Sequence, residues 1–422
     1  MAHPSPARPG AAPYFAELRE HRRAVAGASA GMAAGFLINH YVANLFAAPL
    51  IEEFGWSRAD FALVGTIGLL SLVFVPLFGR LTDLVGARPV AAVGIVCFPL
   101  SFLAFSAMNG SLAMFVLISG LQLLFAAAST SSTVYSRFIA ERFTRARGLA
   151  LAIMATAPAL VGVVGSPLLA HVIAVQGWRT GYVMVAVYTG VVGALALVLM
   201  PGPIRPAASR GLGARPARRP AAQAYAAILR TPAFWIVSGG FLMCNLLYPL
   251  QSSQMKLMLL EHGASSESAA WMISLLAAGV LFGRFACGLA LDRFPPAIVA
   301  AIALGMPGVG LLAVAMGFDS ELSLALAVAV MGLSLGAESD LAAYLVMRYF
   351  PMEVYGTVLG LVVACLAASA TLGAVLLSVT LRLVDHFSAY MVIAGLASFA
   401  GGSLFLLLGR IEQPAGALAA QH

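Results

Sequence analysis

The 422-residue chain is 61% hydrophobic and only 10% charged, with a mean hydropathy of +0.94. Soluble domains carry roughly 25% charged residues, so this composition excludes an ordinary soluble enzyme and points to a polytopic membrane protein with the lipid bilayer as its solvent. The net charge of +7 rests on arginine, since Lys256 is the sole lysine.

In chain order, residues 1–23 are polar and proline-rich and are expected to form a tail. The apolar run after them is too long for a signal peptide and lacks a convincing cleavage site, so it should remain as the first membrane helix. A helix needs about 20 apolar residues to cross a bilayer. Runs of that kind are predicted at 24–50, 59–79, 89–108, 112–138, 148–173 and 179–200, then at 232–259, 269–291, 297–317, 322–347, 356–383 and 388–410. The expected fold is therefore all-α, with twelve transmembrane helices in two six-helix domains, 24–200 and 231–410. Between them, 201–230 mixes five prolines with arginines and no acidic residue, and reads as a flexible basic linker. Residues 411–422 form a second short tail.

The arginines orient the helices. One face collects Arg19, Arg22, Arg23, Arg80, Arg88, Arg142, Arg145, Arg147, the linker cluster, Arg293, Arg348 and Arg410. The other collects Glu52, Glu53, Asp60, Glu261, Glu267, Asp319, Glu321 and Asp385, with Arg58, Arg179 and Arg382 as exceptions. By the positive-inside rule the basic face and both termini are cytoplasmic. The charge thus reports topology, and no nucleic-acid partner is expected. The four cysteines stand singly in apolar runs, without metal spacing or a disulfide framework. No phosphate-binding loop appears, so no cofactor is expected, and no clustered acid–base set suggests an enzyme.

Gly79, Asp83, Gly86 and Arg88 are packed into ten residues between two apolar runs. A weaker copy, Gly288, Asp292 and Arg293, returns at the corresponding place in the second half. Two copies of Gly-x-x-x-Asp suggest a chain built by duplication. Twelve helices, a basic central linker and this duplicated loop together resemble the major facilitator superfamily. The first loop has Leu84 where the family pattern has a basic residue after the aspartate, and the second departs at Phe294-Pro295-Pro296. The resemblance implies that these residues gate the transporter, latching the cytoplasmic side in the outward-open state. Narrower matches point to the branch of monocarboxylate transporters and oxalate:formate antiporters: Pro49 to Arg58 after helix 1, Arg147-Gly148-Leu149-Ala150, Gly177-Trp178-Arg179, and Gly283-Arg284. The lysines that those two groups use in helix 1 and helix 11 are absent, so the branch does not carry a substrate with it.

Charges at bilayer depth are costly and default to functional roles. Arg284 lies eight residues before Asp292, and Asp340 eight before Arg348. At 1.5 Å per residue both sit about 12 Å inside the cytoplasmic surface, and Glu338 about 15 Å. Arg284 is the candidate anion site, with a static Arg284–Asp340 ion pair as the plainer reading. Glu338 and Asp340 are candidate proton carriers, but two residues are roughly 200° apart on a helix, so one face cannot present both. Further candidate contacts are Tyr248 and Gln251 on helix 7, Asn39 and His40 on helix 1, and Tyr135 on helix 4. For each, hydrogen bonding within the core is the plainer alternative. Lys256, near the outer surface, can snorkel.

The expected function is secondary transport of a small organic anion, a mono- or dicarboxylate, across the bacterial inner membrane by alternating access. A proton is the expected coupling ion and a monomer the expected state. Anion exchange, or proton-driven export of a cationic or drug-like compound, is the alternative. A non-transporting sensor is disfavoured by the short tail after Arg410.

Overall fold

The computed structural model describes residues 11–56, 70–127, 129–200, 202, 221–318, 320–384 and 386–411. The core of the linker, the C-terminal tail and the start of the second helix, all called above, lie outside these residues. Among the described residues every regular element is helical.

The chain opens with a short helix, α1 (Ala11–Glu20), where sequence suggested only a tail. The first span is two helices, α2 (Arg22–Ala33) and α3 (Asn39–Phe54), broken by a 3-10 turn at Phe36–Ile38. The second is α4 (Ser71–Val85) and the third α5 (Ala87–Ser106). The fourth, expected as one helix, is α6 (Leu112–Leu121), a π-helical stretch at Gln122–Ala127 and α7 (Ser132–Ala140). The fifth and sixth are α8 (Arg147–Gln176) and α9 (Trp178–Leu199). After the linker, α10 (Ala221–Leu229) leads into the seventh span. That span is α11 (Pro232–Cys244), a 3-10 turn at Asn245–Leu247, a π-turn at Leu250–Gln254 and α12 (Met255–Glu261). The last five are α13 (Ser266–Leu291), α14 (Pro296–Ala315), α15 (Glu321–Tyr349), α16 (Tyr355–Val384) and α17 (Phe387–Phe405).

Helix α4 runs past the predicted end at 79 to Val85. Leu81, Leu84 and Val85 keep it apolar for another turn, so Gly79 and Asp83 belong to the helix rather than to a loop. Among the described residues eight helices are long and apolar enough to cross a membrane unaided, and the three broken spans together with α4, whose start lies outside the described residues, make up the twelve. Their outer faces are apolar, as at Val73, Leu160, Val163, Val191, Val198, Ile302, Val309 and Leu326, which is the surface lipid would contact.

Three apolar cores set the shape. On the arginine-rich side, hereafter the basic side, one continuous core joins both halves, from Met32, Ile139 and Leu151 to Leu291, Leu345 and Tyr355. On the opposite, acidic side the halves have separate cores. One holds Phe46, Phe102, Phe115 and Tyr182; the other holds Leu250, Met258, Met272 and Tyr390. The halves therefore pack together on the basic side, and their apolar packing parts toward the acidic side. The second span meets the eleventh (α4 with α16), and the fifth meets the eighth (α8 with α13).

Candidate functional site

Two groups of polar residues stand out, one at mid-depth and one at the basic-side seam. At mid-depth, α13 and α15 pack backbone to backbone: a Cβ on Gly283 would run into Leu333, and one on Gly336 into Val280. Small residues permit such approach between membrane helices, and here it presses Arg284 against α15. Its guanidinium donates to the Ser339 hydroxyl (3.3 Å) and lies 3.7 Å from the Asp340 carboxylate. The Asp340 side chain is 3% exposed against 20% for Arg284, so the pair has a buried acid and a base that reaches outward. The second Asp340 carboxylate oxygen has no hydrogen-bond partner among the described residues.

Glu338, half a helix turn away, points elsewhere. It is half-buried and lines a cavity with Cys244, Asn245, Gln251 and Ser334, where the seventh span is irregular. Arg284 is within electrostatic range of both carboxylates. Gln251 donates to the Met331 carbonyl (3.2 Å), and Asn245 to the Leu366 carbonyl (3.0 Å), tying the irregular stretch to α15 and α16. Tyr248 is half-buried and electrostatically coupled to Glu338. The structure thus brings Arg284, Glu338, Asp340, Gln251 and Tyr248 to one region.

The N-terminal candidates separate. Asn39 donates to Gln122 (3.0 Å), which donates to Ser101 (2.7 Å); this network spans the break in the first span and the π-helical stretch of the fourth. Irregular backbone at membrane depth occurs where protein or a cavity covers it. Gln122 stands in a polar row of the fourth span to which sequence gives little weight, because its serines and threonines can merely bond the helix backbone. Thr130, which accepts from the Phe36 amide (3.0 Å), is outside that row, since an isolated polar residue in an apolar run carries no backbone signal. The His40 side chain lies outside the described residues. Tyr135 needs a correction: it is fully buried, with its ring against Gly31 of α2, so it fills the N-terminal core instead of lining a cavity.

At the basic-side seam two aspartates mirror each other. Asp83 accepts from the Gly356 amide (2.8 Å), the Thr357 amide (2.7 Å) and the Thr357 hydroxyl (2.7 Å), all at the start of α16, and pairs with Arg137 of its own half. Asp292 accepts from the Gly148 (2.7 Å) and Leu149 (3.1 Å) amides at the start of α8, and from the Tyr14 hydroxyl (2.7 Å). Each carboxylate thus sits on the positive N-terminus of a helix from the opposite half, where free amides and the helix dipole favour an anion. Glycines let the helices meet: a Cβ on Gly79 would strike the Gly356 carbonyl, and one on Gly148 the Gly288 carbonyl.

Burial pushes the Asp292 carboxyl up to about 6, against the hydrogen bonds and the Arg147 charge that pull it down. Burial, with the Asp292 hydrogen bond and charge, also raises Tyr14, keeping its hydroxyl a donor. Of the other residues in the duplicated pattern, Gly86 ends α4 at φ 93°. Arg88 is exposed and donates to the Leu197 carbonyl (3.1 Å), inside its own half, so it does not bridge the seam. Arg293 is exposed and forms no ion pair among the described residues.

Comparison with known proteins gives this architecture a family. The model of the Major Facilitator Superfamily matches residues 24–374. A gallate transporter of Pseudomonas putida is 26% identical over 408 residues, covering 87% of each chain. Among solved structures, the E. coli fucose:proton symporter superposes with a TM-score of 0.70 at 14% identity, over 94% of this chain and 100% of the other. A bacterial homologue of the iron transporter ferroportin, in an outward-facing state, gives 0.65 at 15%, over 94% and 99%. With twelve spans in two halves, and a family match that covers most of the sequence, the chain belongs to the Major Facilitator Superfamily and is a multi-pass membrane transporter.

Proposed function

We propose that this transporter moves a small carboxylate together with a proton across the bacterial inner membrane, with both termini in the cytoplasm. The observation that carries the reading is one cation serving two carboxylates of α15: Arg284 lies 3.7 Å from Asp340 and within electrostatic range of Glu338. With both acids ionised the group is net negative and opposes an anion. Each proton taken up lowers that charge, so anion and proton bind best together. Carrying one carboxylate with one proton then moves no net charge through a low-dielectric region where unbalanced charge is costly. In this scheme Arg284 holds the substrate carboxylate, buried Asp340 keeps Arg284 in place, and half-buried Glu338 carries the proton. Gln251 and Tyr248 contact the substrate from the seventh span, and Asn39 faces it from the first.

The arginine asymmetry between the two faces supports the cytoplasmic assignment of the basic side. On that assignment the parted apolar packing opens outward, and the Asp83 and Asp292 contacts latch the inside shut. The 26% identity to a gallate transporter makes hydroxylated aromatic carboxylates the first compounds to assay.

The test is uptake of a labelled carboxylate, gallate first, into proteoliposomes under an imposed pH gradient. Arg284→Ala should abolish uptake while the protein remains folded. Glu338→Gln should lose gradient-driven accumulation but retain exchange of internal for external substrate. Normal uptake by Arg284→Ala would make the Arg284–Asp340 pair structural and favour export of a cationic compound instead.

A further inference from the structure

Helix α1 ties the two halves together at the basic-side seam. The Glu17 carboxylate accepts four hydrogen bonds: from the Thr144 amide (2.7 Å), the Thr144 hydroxyl (2.9 Å), and the amides of Arg145 (2.9 Å) and Ala146 (2.7 Å). These amides lead into α8, so Glu17 docks α1 on the N-terminal half at a place that favours an anion. Burial opposes the charge, yet these bonds outweigh it and hold the Glu17 carboxyl below its ordinary range. Three residues earlier, on the same helical face, the Tyr14 hydroxyl donates to Asp292 of the C-terminal half (2.7 Å). Tyr14 and Leu18 pack on the core shared by both halves, and the His21 ring meets Phe143 edge-on at 5.3 Å.

The position of Tyr14 has a counterpart in the other seam. Asp83 has Arg137 as its own-half partner, whereas Asp292 has no arginine in ion-pair contact among the described residues. The tail hydroxyl supplies the contact that an arginine supplies at Asp83. Glu17 and its partners all belong to the N-terminal half and can stay together when the halves separate. The Tyr14–Asp292 bond joins opposite halves and must break.

We propose that α1 is a strap on the basic side: it is docked through Glu17, closes through Tyr14 onto Asp292, and biases the transporter toward the conformation that is shut on that side. The inference rests on the halves rocking about the membrane centre, and is independent of which substrate is carried.

Spin labels on Val85→Cys and Phe294→Cys test it, in a background whose four native cysteines are replaced. Val85 and Phe294 are exposed, at 49% and 61%, on opposite halves of the basic side. Pulsed electron-spin distances are measured in liposomes without substrate, so failure of the carboxylate reading leaves the result intact. Tyr14→Phe removes one oxygen and should raise the ratio of long-distance to short-distance populations by about tenfold or more, the scale of a hydrogen bond to a charged group. Glu17→Gln should shift the same ratio in the same direction. Glu20→Gln, at an exposed position on the same helix, should leave it unchanged. Unchanged distances in Tyr14→Phe would overturn the strap. So would a lower melting temperature in Glu17→Gln with no shift in distance, since α1 would then be only a cap for α8.

Discussion

The two basic-side seams are built on one plan and fastened differently. Each places an aspartate of one half on the first amides of a helix from the other, across a pair of facing glycines. Asp83 adds a buried ion pair with Arg137, which also bonds Glu141 at 2.8 Å, and a third cross-half bond from the Thr357 hydroxyl. Among the described residues Asp292 adds a neutral hydroxyl from the tail helix and no ion pair. The repeated Gly-x-x-x-Asp pattern underlies the shared plan. The difference in fastening implies that the second-to-eleventh seam carries most of the closing strength, and that the fifth-to-eighth seam is the adjustable one.

The largest effect should come from removing the stronger fastening. Asp83→Ala leaves Arg137, only 11% exposed, without its buried partner and removes three bonds to α16. Arg137 keeps Glu141 as a partner, so the three lost bonds to α16 set the scale, at about 1.5–3 kcal/mol for each bond to a charged acceptor. All the α16 bonds exist only when the seam is closed, so the variant should show a marked shift to the long Val85–Phe294 distance. Gly79→Ala and Gly148→Ala come next, at about 1–3 kcal/mol each for overpacking a tight contact. They should be nearly equal, because each new Cβ meets a backbone carbonyl that cannot rotate away. A Gly148→Ala variant with normal distances and transport, beside a defective Gly79→Ala, would break the mirror relation between the seams.

The mirror plan was legible because it depends on residue types that leave a strong mark. Gly-x-x-x-Asp between apolar runs is conspicuous wherever it occurs, and its repetition at the same place in each half fixes the pairing of the halves. Periodicity and length likewise suffice for uniform spans such as α5, α8 and α14. They fail for the first, fourth and seventh, where the backbone departs from α-helix while the composition stays apolar. Gly35 and Pro249 hint at two of these breaks, but both residues are common in membrane helices and settle nothing alone. The depth match of Arg284 with Asp340 could be counted from sequence. Which carboxylate pairs with it could not, because that depends on how α13 and α15 are rotated about their axes. Tyr135 misled for the same reason: a polar tip on an aromatic ring does not show whether it faces a cavity or a neighbouring glycine. Tyr14 and Glu17 carried no usable signal, lying in a short polar stretch whose partners are more than a hundred residues away.

A smaller effect belongs to Asp292→Asn. The amide oxygen can still accept from the Gly148 and Leu149 amides and the Tyr14 hydroxyl, and its weaker acceptance is offset by relief from burying a charge, so the closed seam should change by no more than about 1 kcal/mol. Its signature is pH dependence. Burial raises this carboxyl from an ordinary 3.8 to about 6 in the closed seam, so closure favours the protonated form. The contribution of Asp292 to closure is therefore fully present below 3.8 and lost as pH rises through about 6. Acidification from about 7 to 5 should shorten the Val85–Phe294 distance. The part due to Asp292 should vanish in Asp292→Asn, leaving any response of Glu17 and other groups near the seam.

The smallest effect, and the sharpest probe of the difference between the seams, is expected at Arg348. It stands in the last turn of α15, as Arg137 stands in the last turn of α7, but it forms no ion pair among the described residues. Its Nε is buried with no acceptor among the described residues, and Arg147 lies within range of its charge. Replacing it with leucine removes an unsatisfied donor and a like-charge repulsion, but also a favourable cation at a helix C-terminus. These terms oppose one another, so Arg348→Leu should change the closed-state free energy by less than about 0.5 kcal/mol. Arg137→Leu, losing a real partner, should change it several-fold more. Equal effects from the two arginines would mean that Arg348 reaches Asp292 in some part of the cycle, and that both seams are fastened by the same charge pair after all.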